Sequence, residues 1–390
     1  MPQTSAGVDE RIEGLKYLAR NHPEVAWKIC VEQFGLLRSR VGGYSHKPRW
    51  RADARGHGEP DSGSEAWRFV LAAVDLALGW SLQTGQTLGD LIGHLAFFDE
   101  AQQDRILNLI EHWNDTASDT DRVSLREVLR VTTLSRRANR HSPATIKKVR
   151  KLYEELAPRD VVLLHAWLFK KEWIAEPFDA IEEDSDYEKR KERIDAQRLE
   201  ALRSVMAGRG LKGVLDLAES DDAAAVVGRL LVRLFDSKEE INNGLEFFID
   251  HPLNEGRTIK LIVSGILHAV PATDFTEILS ELVRGRPKES IVAVLTLAPF
   301  NRQTWDIVEK FGEEIPNAYW KEARPVWGCG KEELQHAVDR LLEAGRPRAA
   351  FATATHQFSK LNPKQLFRLV NALAMRSDEP DGTYPPDSYN

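Results

Sequence analysis

The residues best suited to chemistry lie between positions 38 and 57. Arg38, Arg40, Lys47, Arg49, Arg51 and Arg55 stand there against a single acid, Asp53, and Tyr44, His46, Trp50 and His57 are interleaved with them. Guanidinium groups hold phosphates and aromatic faces stack on bases, so this mixture suits a nucleic acid or nucleotide. Gly42 and Gly43 permit unusual backbone angles within it. A second basic stretch holds Arg126, Arg130, Arg136, Arg137, Arg140, Lys147, Lys148, Arg150 and Lys151. If the two segments meet in space they form a groove for an anionic partner. Its contacts would be Arg38, Arg40, Tyr44, Lys47, Arg49, Trp50, Arg51, Arg55, Arg136, Arg137 and Arg140. The competing reading is a solvated surface, or pairing with acids such as Glu182, Glu183, Asp184 and Asp186.

Other chemistry has less to stand on. The stretch PVWGCGKEE at 325–333 carries Gly330-Lys331, but Pro325 replaces the first glycine of a phosphate loop and Glu332 replaces its hydroxyl. Neither a dinucleotide-binding, zinc-protease, serine-hydrolase nor kinase motif is present. His94, His112, His165, His268 and His336 fall in helical stretches, where a lone histidine reads as structural; His165 with Trp167, and His112 with Glu111 and Trp113, are the two clusters of note. In FFDEAQQD at 97–104, Asp99, Glu100 and Asp104 lie near a helix start, where acids complement the helix dipole. The two cysteines, Cys30 and Cys329, form no CxxC and cannot alone build a zinc site, so a reducing compartment is expected. No catalytic residue, metal or cofactor is predicted.

The totals agree with that restraint. Hydrophobic residues make up 42% of the 390 and charged residues 29%, an ordinary globular mixture. A net charge of −7 argues against a surface that coats nucleic acid throughout. The N-terminus lacks a basic start and an apolar core, and runs such as LIVSGILHAV at 261–270 are short of a membrane span, so a soluble cytoplasmic protein with no membrane contact is expected.

The elements that must position these residues are helices. Gly-Arg-Pro occurs twice, at 285–287 and 345–347. Glycine suits the left-handed position after a helix and proline the first turn of the next, so each copy predicts a helix–turn–helix junction. Phe275, Ile278, Leu279, Leu282 and Val283 form an amphipathic stripe before the first copy; Leu334, Val338, Leu341 and Leu342 form one before the second. Pro252, Pro287, Pro316 and Pro347 are spaced by 35, 29 and 31 residues. Helix pairs at such intervals predict an all-α fold, an irregular α-solenoid-like stack of antiparallel pairs of the HEAT/TPR kind. In the N-terminal half, helices are expected over 8–20, 23–37, 65–82, 87–97, 99–114, 122–139, 144–157 and 159–173, with a long charged helix over 188–207. Trp27, Trp67, Trp113, Trp167 and Trp305 fall on the stripes and read as core. The expected organisation is an irregular helical subdomain over 1–180, a repeat subdomain over 181–378 and a polar tail or linker over 379–390, which suggests a piece of a longer multidomain chain.

The stretch LAPFNRQTWDIVEKFGEEIPNAYWKEARPVW at 297–327, followed by LLEAGRPRAA at 341–350, resembles segments of large bacterial helical-repeat proteins. The likeness covers roughly 285–375 and is marked by Trp305, Tyr319, Trp320, Trp327 and the second Gly-Arg-Pro turn. Similar arrays stand beside nucleotide-binding or effector domains in proteins assigned to phage defence, so the resemblance implies a bacterial sensing or scaffold module. It carries no catalytic residues. The function expected is a non-enzymatic scaffold that binds a protein partner, with nucleic-acid binding through the basic segments as the alternative.

Overall fold

The structure is a computed structural model that describes residues 6–35, 63–135, 140–170, 174, 187–218, 221–251, 256–325 and 330–375. Among these residues all regular structure is helical. The chain divides into two compact units, residues 1–167 with 173–191, and residues 168–172 with 192–390. The boundary expected near 180 lies outside the described residues.

The first unit contains α1 (Val8–Asn21), α2 (Pro23–Phe34), α3 (Gly63–Leu78), α4 (Gly85–Gly93), α5 (Glu100–Asn114), α6 (Asp119–Thr132), α7 (Pro143–Glu155) and α8 (Val161–His165). Five of its helices start where side chains satisfy free backbone donors. Thr84, Asp99, Ser118, Ser142 and Asp160 each accept a bond from an amide two or three residues on. Each such cap stabilises its helix by about 1 kcal/mol. Helices α1, α2 and α3 pack on one another, α2 meets α4, α4 meets α5 and α6, and α5 and α6 both meet α7. One core joins them, with Leu15, Trp27, Phe34, Val74, Ile92, Ile106, Leu125 and Val149 among its members. Polar ties run through it: Trp27 Nε1 donates to Asp90 at 2.8 Å, and buried Gln103 donates to the carbonyls of Leu95 and Phe98 while accepting from Thr145.

The helices of this unit differ from expectation mainly at their ends. Helix α4 stops at Gly93 and a 3-10 turn, Leu95–Phe97, carries the chain to Asp99. The helix expected over 159–173 is α-helical only to His165 before tightening into 3-10 geometry at Ala166–Phe169. Trp67 is a correction. It lies in the first turn of α3, at the edge of the buried stripe Val70, Ala73, Val74 and Ala77, and is 44% exposed rather than core. Trp113 and Trp167 are half-buried.

The division between the units falls within α9 (Tyr187–Leu217), which Gly210 interrupts at φ 61°, ψ −160°. The helices that follow belong to the second unit: α10 (Asp221–Leu231), α11 (Lys238–Ile249), α12 (Arg257–Ala269), α13 (Ala272–Val283), α14 (Lys288–Leu297), α15 (Arg302–Val308), α16 (Glu314–Glu322), α17 (Lys331–Glu343), α18 (Pro347–Ala354) and α19 (Pro363–Met375). Over most of this run a helix packs not only on its neighbour in sequence but on the next but one. Thus α10 meets α12, α11 meets α13, α12 meets α14, α13 meets α15, α14 meets α16 and α17 meets α19.

The stripe read from sequence before the first Gly-Arg-Pro is the buried face of α13; all five of its residues are buried. Each adds on the order of 2 kcal/mol by leaving water. The closest approach is α10 against α12. Gly228 and Gly265 face each other there, so nearly that a β-carbon on Gly228 would stand 2.2 Å from the Ile262 carbonyl oxygen and 3.0 Å from the Gly265 Cα. Polar bonds join three other pairs. Lys238 binds Glu277 and Asn242 binds Glu281 between α11 and α13; Lys288 binds Glu314 between α14 and α16; Gln365 and Arg368 bind Asp339 between α19 and α17.

Both Gly-Arg-Pro copies form the expected turn. Gly285 has φ 71° and Gly345 φ 76°, the left-handed region open to glycine at little cost. Pro287 precedes α14 and Pro347 opens α18. The arginine has a role that its spacing alone does not reveal. Arg286 donates from Nε to the Leu282 carbonyl at 2.7 Å and grips Asp250, the residue that ends α11. Arg346, buried, donates to the carbonyls of Trp320 and Ala323 at the end of α16. In each copy glycine turns the chain, proline starts the next helix, and arginine fastens the junction to the end of an earlier helix.

Candidate functional site

The first basic segment, with Arg38, Arg40, Tyr44, Lys47, Arg49, Trp50, Arg51 and Arg55, lies outside the described residues, as do Arg136 and Arg137. Arg140 is described and exposed. The rest of the second basic stretch is largely engaged within the first unit. Arg126 stacks on the Tyr153 ring at 4.0 Å and donates to the Tyr153 carbonyl. Arg130 is buried, forms a two-pronged bond to Glu127 at 2.7 and 2.8 Å, and lies over the Trp167 ring at 4.3 Å. Lys148 binds Asp104 at 2.6 Å, and Lys151 lies between Glu111 and Glu155. Apart from Trp167, the partners of these four cations are supplied by α5, α6 and α7. The periodicity of α6 places Arg126 and Arg130 on one face, four residues apart, where they brace the aromatic rings of other segments.

Three of the histidines follow a common pattern. In His94, His112 and His268 the Nδ1 atom lies 2.8 Å from the carbonyl oxygen four residues earlier, a bond made within the helix itself. Asp99 accepts from the Gln102 amide as the cap of α5, and Asp104 is the partner of Lys148 on α7, so contacts within the first unit account for both acids. Among the described residues no three His, Cys, Asp or Glu side chains are grouped to hold a metal ion. Cys30 is buried and its thiol is pushed up to about 12 by that burial, which leaves it in the unreactive protonated form.

The second unit holds an aromatic cluster. Trp305, Tyr319 and Trp320 are buried beside Phe300, with ring centres 5.0–5.9 Å apart along the linked pairs; Trp327 lies outside the described residues. His336 of α17 leans on this cluster, 5.3 Å from Trp305 and 5.9 Å from Trp320. Burial, then the charges of Arg302 and Arg340, hold its imidazole below the ordinary histidine range. Burial likewise raises the Tyr319 phenol. The geometry is that of a packed core.

Among the described residues two grooves are of note. One, of about 350 Å³, lies between α5 and α7 and is lined by Asp104, Asn108, Glu111, Lys148 and Lys151, whose charges largely pair across it. The other, of about 450 Å³, lies along the end of α11 in the second unit and is lined by Asn243, Glu246, Phe247, Asp250 and His251. It offers the Glu246 carboxylate beside an aromatic face, with the Phe247 and His251 rings 5.9 Å apart; Asp250 is already held by Arg286. No sequence signal singled it out, because its residues are ordinary members of one helix and become a surface only through the packing around them.

No protein-family model matches the sequence, and no curated protein matches it either. Among the described residues no helix is long and apolar enough to cross a membrane.

Proposed function

We propose that this chain is a non-enzymatic helical-repeat scaffold, and that its second unit is an irregular α-solenoid-like stack that holds a protein partner. The observation that carries the reading is the packing of α10 to α16, each helix against the next but one. That is how repeat arrays bury a continuous core while leaving long outer surfaces for binding. The groove at α11 suits a basic segment of such a partner, with a lysine or arginine head at Glu246 and its apolar stem on Phe247. The bacterial phage-defence setting belongs to the same proposal and rests on the resemblance of 285–375 alone.

The test is capture of proteins from cell extract by the immobilised chain, with a Glu246→Lys/Phe247→Ala variant beside it. A protein retained by the wild type and lost from the variant is expected. In parallel, a labelled single strand and a duplex are titrated at low and physiological salt. Binding that falls steeply with salt and disappears in Arg49→Ala/Arg51→Ala would replace the scaffold with a nucleic-acid module.

A further inference from the structure

Helix α19 carries six large apolar side chains, Leu366, Phe367, Leu369, Val370, Leu373 and Met375, yet of these only Leu369 is fully buried. Phe367 is 73% exposed, Val370 65% and Met375 78%, the largest grouping of exposed apolar residues on one described helix. Its inner face is already engaged: Gln365 bonds to Asp339 and the Gln335 carbonyl, and Arg368 bonds to Asp339 at 2.7 Å. The outer face is open, and it has a pattern. Pro363, Phe367, Val370 and Ala374 are all exposed and are spaced by four, three and four residues, the interval at which one helix presents a seam to another.

We infer that two copies of this chain pair through the outer face of α19, antiparallel about a two-fold axis. This is independent of the scaffold reading. In an antiparallel seam centred between Phe367 and Val370, Phe367 of each copy meets Val370 of the other, and Pro363 meets Ala374. On one flank Leu366 then faces Leu373, and on the other Lys364 faces Asn371, so no like charges oppose each other. Lys364 also comes to lie beside the C-terminal carbonyls of the second helix, where a cation is favoured. The seam is self-complementary, as a two-fold interface requires.

The exposed apolar surface on this face is on the order of 500 Å² per copy, so pairing covers roughly 1,000 Å² in total, at the lower end for a specific interface. A reversible dimer is therefore expected rather than a permanent one.

Sedimentation velocity on the full chain, over about two decades of concentration around micromolar, tests it. The wild type should pass from monomer to dimer. Phe367→Asp and Val370→Asp should each weaken association at least about tenfold, with an unchanged circular dichroism spectrum because both side chains are exposed; Phe367→Ala provides a milder truncation in the same direction. An equimolar mixture of Phe367→Cys and Val370→Cys proteins should cross-link under mild oxidation more than either alone. A wild type that stays monomeric throughout overturns the proposal. So does a dimer that survives Phe367→Asp, or association seen only after residues 376–390 are removed, which would make that tail the occupant of the face.

Discussion

Gly228→Ala offers the sharpest test of the packing. Helix propensity alone says the substitution should stabilise α10 by about 0.8–1 kcal/mol, since alanine replaces glycine within a helix. The structure says the opposite. The new methyl carbon would sit 2.2 Å from the Ile262 carbonyl oxygen and 3.0 Å from the Gly265 Cα, both backbone atoms of α12. A flexible side chain could swing away; a helix backbone cannot, so α10 and α12 must separate by roughly 1 Å to restore ordinary contact. Overpacking of this kind costs about 1–3 kcal/mol, and a backbone-to-backbone clash belongs at the upper end. After the propensity gain, a net loss of about 2 kcal/mol remains, which for a unit of this size lowers the melting temperature by about 4–8 °C. Urea denaturation followed by circular dichroism supplies the same quantity as a shift in midpoint. Gly14→Ala is the control: Gly14 lies in α1, and a β-carbon added there would meet nothing within 4 Å, so the same chemical change should be neutral or stabilising. If Gly228→Ala matches Gly14→Ala, the close approach of α10 and α12 is wrong.

Three further outcomes are expected. Leu341→Asp places an unpaired charge at a fully buried site of α17 and should cost at least about 3–5 kcal/mol, seen as lost helicity and an early urea transition; full helicity with an unchanged midpoint would refute the stripe. His336 has a folded pKa below its unfolded one, so the unfolded chain binds more protons; its contribution to stability is complete above the ordinary histidine range and is lost as pH falls from there toward the folded value. Comparing melting temperatures of wild type and His336→Gln between pH 7 and about 5 should show a smaller acid-side loss in the variant. Cys30, buried and with its thiol pushed up to about 12, should resist alkylation at neutral pH until denaturant is added, as read by mass spectrometry of its peptide.

What could be read from the sequence was local. Gly285 and Gly345 announce left-handed backbone because a residue without a β-carbon, placed between an apolar stripe and a proline, has few other uses. The stripe at 275–283 announces a buried helix face because its spacing matches the helical repeat. The acids at Asp99 and Glu100 announce a helix start for a similar reason. The sequence left open whatever depended on a partner distant in the chain. Arg126 and Arg130 carry the same charge whether they face water or a ring, and only the arrival of Tyr153 and Trp167 turns them inward. Trp67 matches a core stripe, yet whether that edge of α3 is covered is decided by its neighbours. Gly228 and Gly265 left a trace, a glycine in the middle of each of two apolar helices, but which glycine meets which is a matter of helix crossing.

By itself, then, the sequence determined that the chain builds helices, where two of its junctions turn, and which faces are apolar, since these follow from backbone stereochemistry and side-chain periodicity over a few residues. Only the tertiary structure decided which cations are taken up internally, which helices touch backbone to backbone, and that α19 keeps an apolar face open. Those outcomes depend on side chains tens of residues apart reaching the same few ångströms, and no local pattern encodes that meeting.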